Sequence, residues 1–198
     1  MQTPESPRRA GKPKRSKEET RQIVHYAELM VKMRARACVI SELTGLPSLE
    51  VRDLWQRVAG RSSPSGQQPN DLAWYLKSSR RRFHSALIVQ LYHQALQDLP
   101  AYAAMTNAYY HYGQITAASA PRSSWIDGAD PSFRGEERDY EVPFSRANYL
   151  CKAYTNDKLA NGRRKCPLVI KSCRNPSCQA LFMSSEDEVR EHCTVCAK

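Results

Sequence analysis

Ala37-Cys-Val-Ile-Ser-Glu-Leu-Thr-Gly-Leu-Pro-Ser-Leu-Glu-Val-Arg-Asp-Leu-Trp55 is the stretch on which the fold turns. Its apolar residues recur at three- and four-residue steps, broken once at Gly45-Leu-Pro47. The pattern predicts a helix over about 35–44, a tight turn, and a second helix over about 49–58. Ile40 and Leu43 face inward from the first helix, Leu46 fills the corner, and Val51 and Leu54 return the second helix to the core. Leu49, Trp55 and Val58 complete its apolar set. Gly45 permits the turn, and Ser48 is placed to cap the second helix.

A DNA-reading hairpin needs this spacing, because its second helix must project from the body to enter the major groove. Ser48, Arg52 and Gln56 then face outward, with Arg57 and Arg61 near the phosphate backbone. Arginine to guanine and glutamine to adenine are the pairings that groove geometry favours. An ordinary helical hairpin inside a bundle carries the same pattern, and Asp53 on the exposed side is unwelcome near phosphate.

Upstream, Ile23, Ala27, Met30, Val31 and Arg34 repeat with helical spacing from Glu19 onward. Residues 1–18 hold only Met1 and Ala10 as apolar side chains and read as a flexible basic arm. Downstream, a Gly/Ser/Pro-rich loop runs from Gly60 to Pro69, and Asn70 or Asp71 caps the next helix near Leu72. About three further helices fill 71–118, with breaks near Ser79 and at Leu99-Pro100. Residues 119–145 read as a long surface loop. A short helix from Ser145 to Asp157 then leads to the C-terminal module of the segment 146–198. The fold class expected is mostly α: a helical bundle over 19–118, containing a helix-turn-helix-like hairpin at 37–58, followed by a small tetra-cysteine zinc module.

That module carries Cys173-Arg-Asn-Pro-Ser-Cys178 and Cys193-Thr-Val-Cys196. Two chain-local thiolate pairs can surround one tetrahedral ion with little loop-closure cost. Cys173, Cys178, Cys193 and Cys196 are therefore the candidate ligands of one structural zinc per chain, with Cys166 and His192 near enough in sequence to substitute. Four sulfurs close the shell, leaving no open position for catalytic water. Glu186, Asp187 and Glu188 read as the start of a solvated helix. Lys171 and Arg174 would offset the thiolate charge and offer cations to a phosphate.

The chain has 198 residues, a formal charge of +10 and seven cysteines. A basic surplus favours polyanions, and Arg80-Arg81-Arg82 and Arg163-Arg164-Lys165 add local positive runs. The longest apolar stretch, Ala86 to Tyr92, is too short to span a bilayer and is interrupted by Gln90. The cysteine pattern fits a reducing compartment, the cytoplasm. His25, His84, His93 and His111 read as packed or capping residues, Cys38 and Cys151 as buried thiols, and no constellation suggests an enzyme. Tyr102, Tyr109, Tyr110 and Tyr112 suit either a core or a partner interface. An RNA-binding or ribosome-associated zinc protein is the alternative reading, although it leaves the hairpin spacing unexplained.

Glu42-Leu-Thr-Gly-Leu46, Leu54-Trp-Gln-Arg57, Ser62-Ser-Pro-Ser-Gly66 leading to Pro69, Asp71-Leu-Ala-Trp74 and the four cysteines together resemble the FlhC family. These are zinc-binding subunits of bacterial master transcriptional activators. The resemblance covers about residues 20–118 and 145–198. It implies a helical body, a tetra-cysteine zinc site and a hetero-oligomer with a small helical FlhD-like partner that binds promoter duplex DNA and recruits RNA polymerase. The first cysteine pair departs from the family's usual C-x-x-C, and the basic arm and the 120–145 loop look like additions. Divergent relatives on conjugative elements activate transfer genes instead of flagellar genes, and the drift of this sequence leans that way.

Overall fold

A computed structural model describes residues 15–117, 142–156 and 166–197. The described chain is mostly helical, with one small antiparallel hairpin near its end. The helices are α1 (Lys17–Lys32), α2 (Ala37–Thr44), α3 (Ser48–Ala59), α4 (Ser79–Ala95), α5 (Ala101–Ala117) and α6 (Phe144–Thr155), with a 3-10 turn at Ala73–Leu76. The strands are β1 (Leu168–Ser172) and β2 (Leu181–Ser185).

Local chemistry sets the helix boundaries. Ser16 accepts a hydrogen bond from the Glu19 N–H at 3.0 Å, so α1 begins inside the segment expected to be a flexible arm. Arg34, expected on this helix, lies beyond its end with φ 60°, and the chain turns there before α2. That is why α2 begins at Ala37 rather than Ala35. Leu72 is the N-cap of the 3-10 turn where a helix start was expected, and Asp71 Oδ1 just before it accepts from the Ala73 N–H at 2.8 Å. Ser78 accepts from the Arg81 N–H to start α4, and Leu99-Pro100 separates α4 from α5. The expected loop over 119–145 lies outside the described residues up to 141; Val142 is buried and α6 opens at Phe144.

Helices α1, α2 and α3 pack on one another, with Ile23, Met30, Val31, Ile40, Val51, Leu54 and Trp55 buried between them. Two expectations fail here. Leu49 is exposed, because it lies on the outward side of α3. Ser48 is the first helical residue, preceded by Pro47 as N-cap, and no side chain caps this end. Helix α4 packs against α5, α6, the 3-10 turn and β2. Being covered on several sides, it buries apolar residues around its circumference and also Arg82 and Ser85. The core continues through Tyr75, Ile88, Met105, Tyr112 and Leu150.

The strands pair from Leu168 opposite Ser185 to Ser172 opposite Leu181. Their alternation places Phe182, fully buried, beneath the cysteine cluster. Residues 186–188 form a turn and not a helix, because Glu188 is drawn back toward α4. Among the described residues no helix is long and apolar enough to cross a membrane.

Candidate metal centre and nucleic-acid interface

The β hairpin and the chain after it form two cysteine knuckles. Cys173 directly follows β1, and its N–H bonds to Ala180 O at 2.9 Å, closing the loop that carries Cys178. Asn175 shapes this loop by accepting from the Ser177 N–H at 3.0 Å. Gln179 adopts φ 48°, which lets the longer C-x4-C spacing turn back into β2. The second knuckle is closed by the Cys196 N–H to Cys193 O at 3.1 Å, and Arg174 N–H to Glu191 O at 3.0 Å ties the two together.

The ligand atoms of Cys173, Cys178, Cys193 and Cys196 all lie within 4.8 Å of one another. Cys178 and Cys193 place their sulfurs 3.8 Å apart. A tetrahedron of sulfurs, each about 2.3 Å from a central zinc, has edges of about 3.8 Å. The donor set therefore fits a four-coordinate ion, and these cysteines could hold a metal. Further donors aim at the sulfurs: the Cys193 N–H reaches Cys173 Sγ at 3.4 Å and Asn175 Nδ2 reaches Cys196 Sγ at 3.5 Å.

The Cys193 N–H holds the Cys173 thiol below its ordinary value, against the effect of burial. At Cys193 burial pushes upward, but the N–H groups of Cys196 and Val195 and the adjacent thiols outweigh it and bring the group down to about 7. Cys196 is pushed up to about 12 by the Cys178 and Cys193 sulfurs beside it. Crowded thiols resist losing successive protons because thiolates repel one another. A divalent cation at their centre reverses that penalty. Of the two substitutes expected from sequence, Cys166 is buried in the core of the helical body. His192 is exposed and helps lower the Cys173 thiol, but it lies outside the four-sulfur set.

The module is anchored to the helical body. Phe83 of α4 packs against Cys173, Phe182 and Cys193. Arg82 reaches Glu188 Oε2 at 2.7 Å, Met183 O at 3.2 Å and Leu76 O at 3.0 Å. Glu188 also accepts from Ser184 Oγ at 2.9 Å and from Arg190 Nε at 2.9 Å. Burial pushes the Glu188 carboxyl up, but the bonds from Arg82, Ser184 and Arg190 outweigh it and hold the group at about 2. Arg82, expected to meet phosphate, is thus buried at 9% exposure and committed to the fold. This anchor was missed from sequence; its partners lie 106 residues apart and no local pattern joins them.

The α2–α3 turn is stitched by its own side chains. Gly45 has φ 67° and its N–H bonds to Ser41 O at 2.8 Å. Ser41 Oγ donates to Leu46 O at 2.5 Å across the turn, and Thr44 Oγ1 accepts from the Leu46 N–H at 3.2 Å. Leu46 is buried at the corner. Loop 60–70 braces the same unit: Arg36 donates to Gln67 O at 2.6 Å and Ser63 Oγ accepts from the Ala37 N–H at 2.8 Å.

Ser48, Arg52, Gln56, Arg57 and Arg61 are all exposed. Gln56 donates to Ser62 Oγ at 3.1 Å, and Arg57 pairs with Glu28 at 3.2 Å. Arg80 is exposed at the start of α4, while Arg81 lies 4.1 Å over the Trp74 ring. Arg146, absent from the sequence expectation, lies over the same ring at 4.3 Å. Lys171 donates to Glu188 O, and Arg174 pairs with Glu191. Arg163, Arg164 and Lys165 lie outside the described residues.

Other expectations divide. Cys151 is buried, and burial pushes its thiol up; Cys38 instead faces outward from α2, beside Gln68. His84 bonds Tyr112 at 2.7 Å and His93 bonds Thr155 at 3.1 Å, whereas His25 and His111 are exposed. Tyr109 and Tyr112 belong to the core and Tyr110 is exposed.

The sequence pattern of the family described as Flagellar transcriptional activator (FlhC) matches residues 10–124. The Flagellar transcriptional regulator FlhC of Verminephrobacter eiseniae (strain EF01-2) is 32% identical over 111 residues, which is 54% of this chain and 59% of that protein. The chain thus spans under two thirds of the length of the curated relative it matches. The family match includes the helical unit and its glycine turn and ends before the cysteines, so the metal centre stands on its own geometry. On the match through the helical body, the chain belongs to the flagellar transcriptional activator (FlhC) family.

Proposed function

We propose that this protein is a DNA-binding subunit of a transcriptional activator that works in the cytoplasm as a hetero-oligomer with an FlhD-like small helical partner. Helix α3 reads a promoter duplex, and the complex recruits RNA polymerase to conjugative-transfer or flagellar genes. The observation that carries this reading is the α2–α3 turn. A left-handed Gly45 and a buried Leu46 hold α3 so that Arg52 and Gln56 face outward while Val51 and Leu54 fill the core. Arg57, Arg61 and Arg80 supply phosphate contacts around it, joined by Arg81 and the basic run 163–165. The four cysteines would hold one structural zinc, which when bound supplies folding free energy to the module and no reactive position. Lys171 and Arg174 flank that centre as cations facing the phosphate backbone.

Native mass spectrometry of the chain purified with and without the partner tests the assembly. One zinc per chain in a mixed oligomer supports the reading; a zinc-bearing monomer that ignores the partner contradicts it. Arg52→Ala should relax base preference at one site position and cost about 1–3 kcal/mol. An equal loss on every sequence would reduce Arg52 to a phosphate contact. Tighter binding to structured RNA than to promoter duplex would favour the RNA-binding alternative.

A further inference from the structure

Every large apolar side chain of the hairpin is packed inward except one. Ile40, Leu46, Val51, Leu54 and Trp55 are buried, whereas Leu49 is 68% exposed at the second residue of α3. A lone exposed leucine is ordinary on a protein surface. Leu49 is informative because of its company. Leu49, Arg52, Asp53 and Gln56 recur at i, i+3, i+4 and i+7, so they form one stripe along the helix, and all four are exposed. The stripe begins at the N-terminal end of α3, the end whose residues meet base edges when such a helix docks.

We propose that Leu49 is a specificity-determining residue that reads a thymine through its C5-methyl group. The inference rests on α3 being the groove-reading helix. The major groove displays hydrogen-bond donors, acceptors and one apolar group, the thymine methyl. Arg52 matches guanine and Gln56 matches adenine, while Asp53 accepts from the cytosine amino group. Leu49 is the apolar member of the stripe and matches the remaining base. Read this way, Asp53 faces a base edge rather than a phosphate, which removes its electrostatic conflict with the duplex. Leu49 also stays in water until DNA covers it, so its desolvation is available to binding rather than to folding.

The test uses the full chain with its FlhD-type partner and duplexes enriched from a randomised pool. The enriched site is resynthesised with deoxyuridine in place of thymidine at one position at a time, which removes the methyl and keeps every hydrogen-bonding group. At one position the exchange should weaken wild-type binding by about fourfold, the value of one buried methyl group. Leu49→Ala should bind the thymine site at least that much more weakly and be indifferent to the exchange there, while Leu49→Met keeps the difference. The proposal is overturned if Leu49→Ala retains the full thymine-over-uracil difference. It is equally overturned if the variant loses the partner instead of the base preference, since Leu49 would then be a protein contact. Arg52→Ala separates the two levels. If it relaxes preference while the Leu49 cycle is flat, only the thymine inference fails; if neither variant changes preference, α3 is not the reader and both readings fall.

Discussion

The α1–α3 unit and the cysteine module hold short stretches of chain by opposite means. In the first, carbon does the work: Ile23, Met30, Ile40, Val51, Leu54 and Trp55 are withdrawn from water, and one glycine turn sets the direction of α3. In the second, among the described residues 166–197, Phe182 is the one large aromatic side chain, fully buried, and four sulfurs converge beside it. A helical unit that buries a continuous apolar stripe can lose one contact and still fold. A two-stranded hairpin is marginal in water without metal or external packing. The module has a place for both supports, the sulfur cluster on one side and α4 on the other.

The sharpest way to break the comparison is to remove a sulfur. Cys193→Ser should release the 166–197 module, because a structural zinc held there, as proposed, would contribute on the order of 10 kcal/mol of local folding free energy. Limited proteolysis and metal content should show a cleavable, metal-poor tail beside a helical body of undiminished circular dichroism. A protease-resistant tail would remove Cys193 from the ligand set. The same treatment of wild type with a chelator should reproduce the variant.

Next in size is the anchor on α4. Glu188→Gln leaves the buried Arg82 guanidinium without its carboxylate partner, which should cost about 3 kcal/mol. Hydrogen exchange should rise in β1 and β2 before it rises in α1–α3. Acid offers a second route to the same contact. Glu188 is held at about 2 against an ordinary value of 4.5, so its stabilisation is fully present above the ordinary value and is lost as pH falls toward 2. Stability curves between pH 5 and pH 2 should therefore fall more steeply for wild type than for Glu188→Gln. Parallel curves would remove this carboxylate from the acid response.

Leu46→Ala, at the corner of the glycine turn, should cost about 2–3 kcal/mol by opening a cavity. Its thermal transition should fall while metal content holds, since carbon packing and sulfur ligation are separate supports. Smallest is Gly45→Ala. A Cβ there meets only the flexible end of Arg15, so the loss reduces to holding an L-residue at φ 67°, about 1–2 kcal/mol. A loss as large as that of Leu46→Ala would mean that the Arg15 contact is itself structural.

Much of this arrangement was legible in the residues. Helical spacing located α1, α2, α3 and the breaks before α4 and α5, because amphipathic period and turn chemistry are local properties. The C-x4-C and C-x-x-C pairs anticipated a metal cluster for a similar reason: each knuckle is closed by bonds within a few residues of itself. Leu49 and Cys38 went the other way. Both sit at helix positions where apolar character suggested burial, and which side of a helix is covered depends on what packs against it. Arg82 shows the same limit more strongly. In the run Arg80-Arg81-Arg82 three like cations are indistinguishable, yet one is exposed, one lies over Trp74 and one enters the fold to meet Glu188.

By itself, then, the sequence determined the helices, the glycine turn and the four sulfurs, since each follows from interactions spanning only a few residues. The tertiary structure alone decided that α4 carries the cysteine module through Phe83 and Arg82, that Cys166 joins the helical core and not the sulfur cluster, and that Leu49 stands outward beside Arg52 and Gln56. The physical reason is that desolvation and ion pairing depend on which surfaces meet, and those surfaces come from segments as much as 106 residues apart.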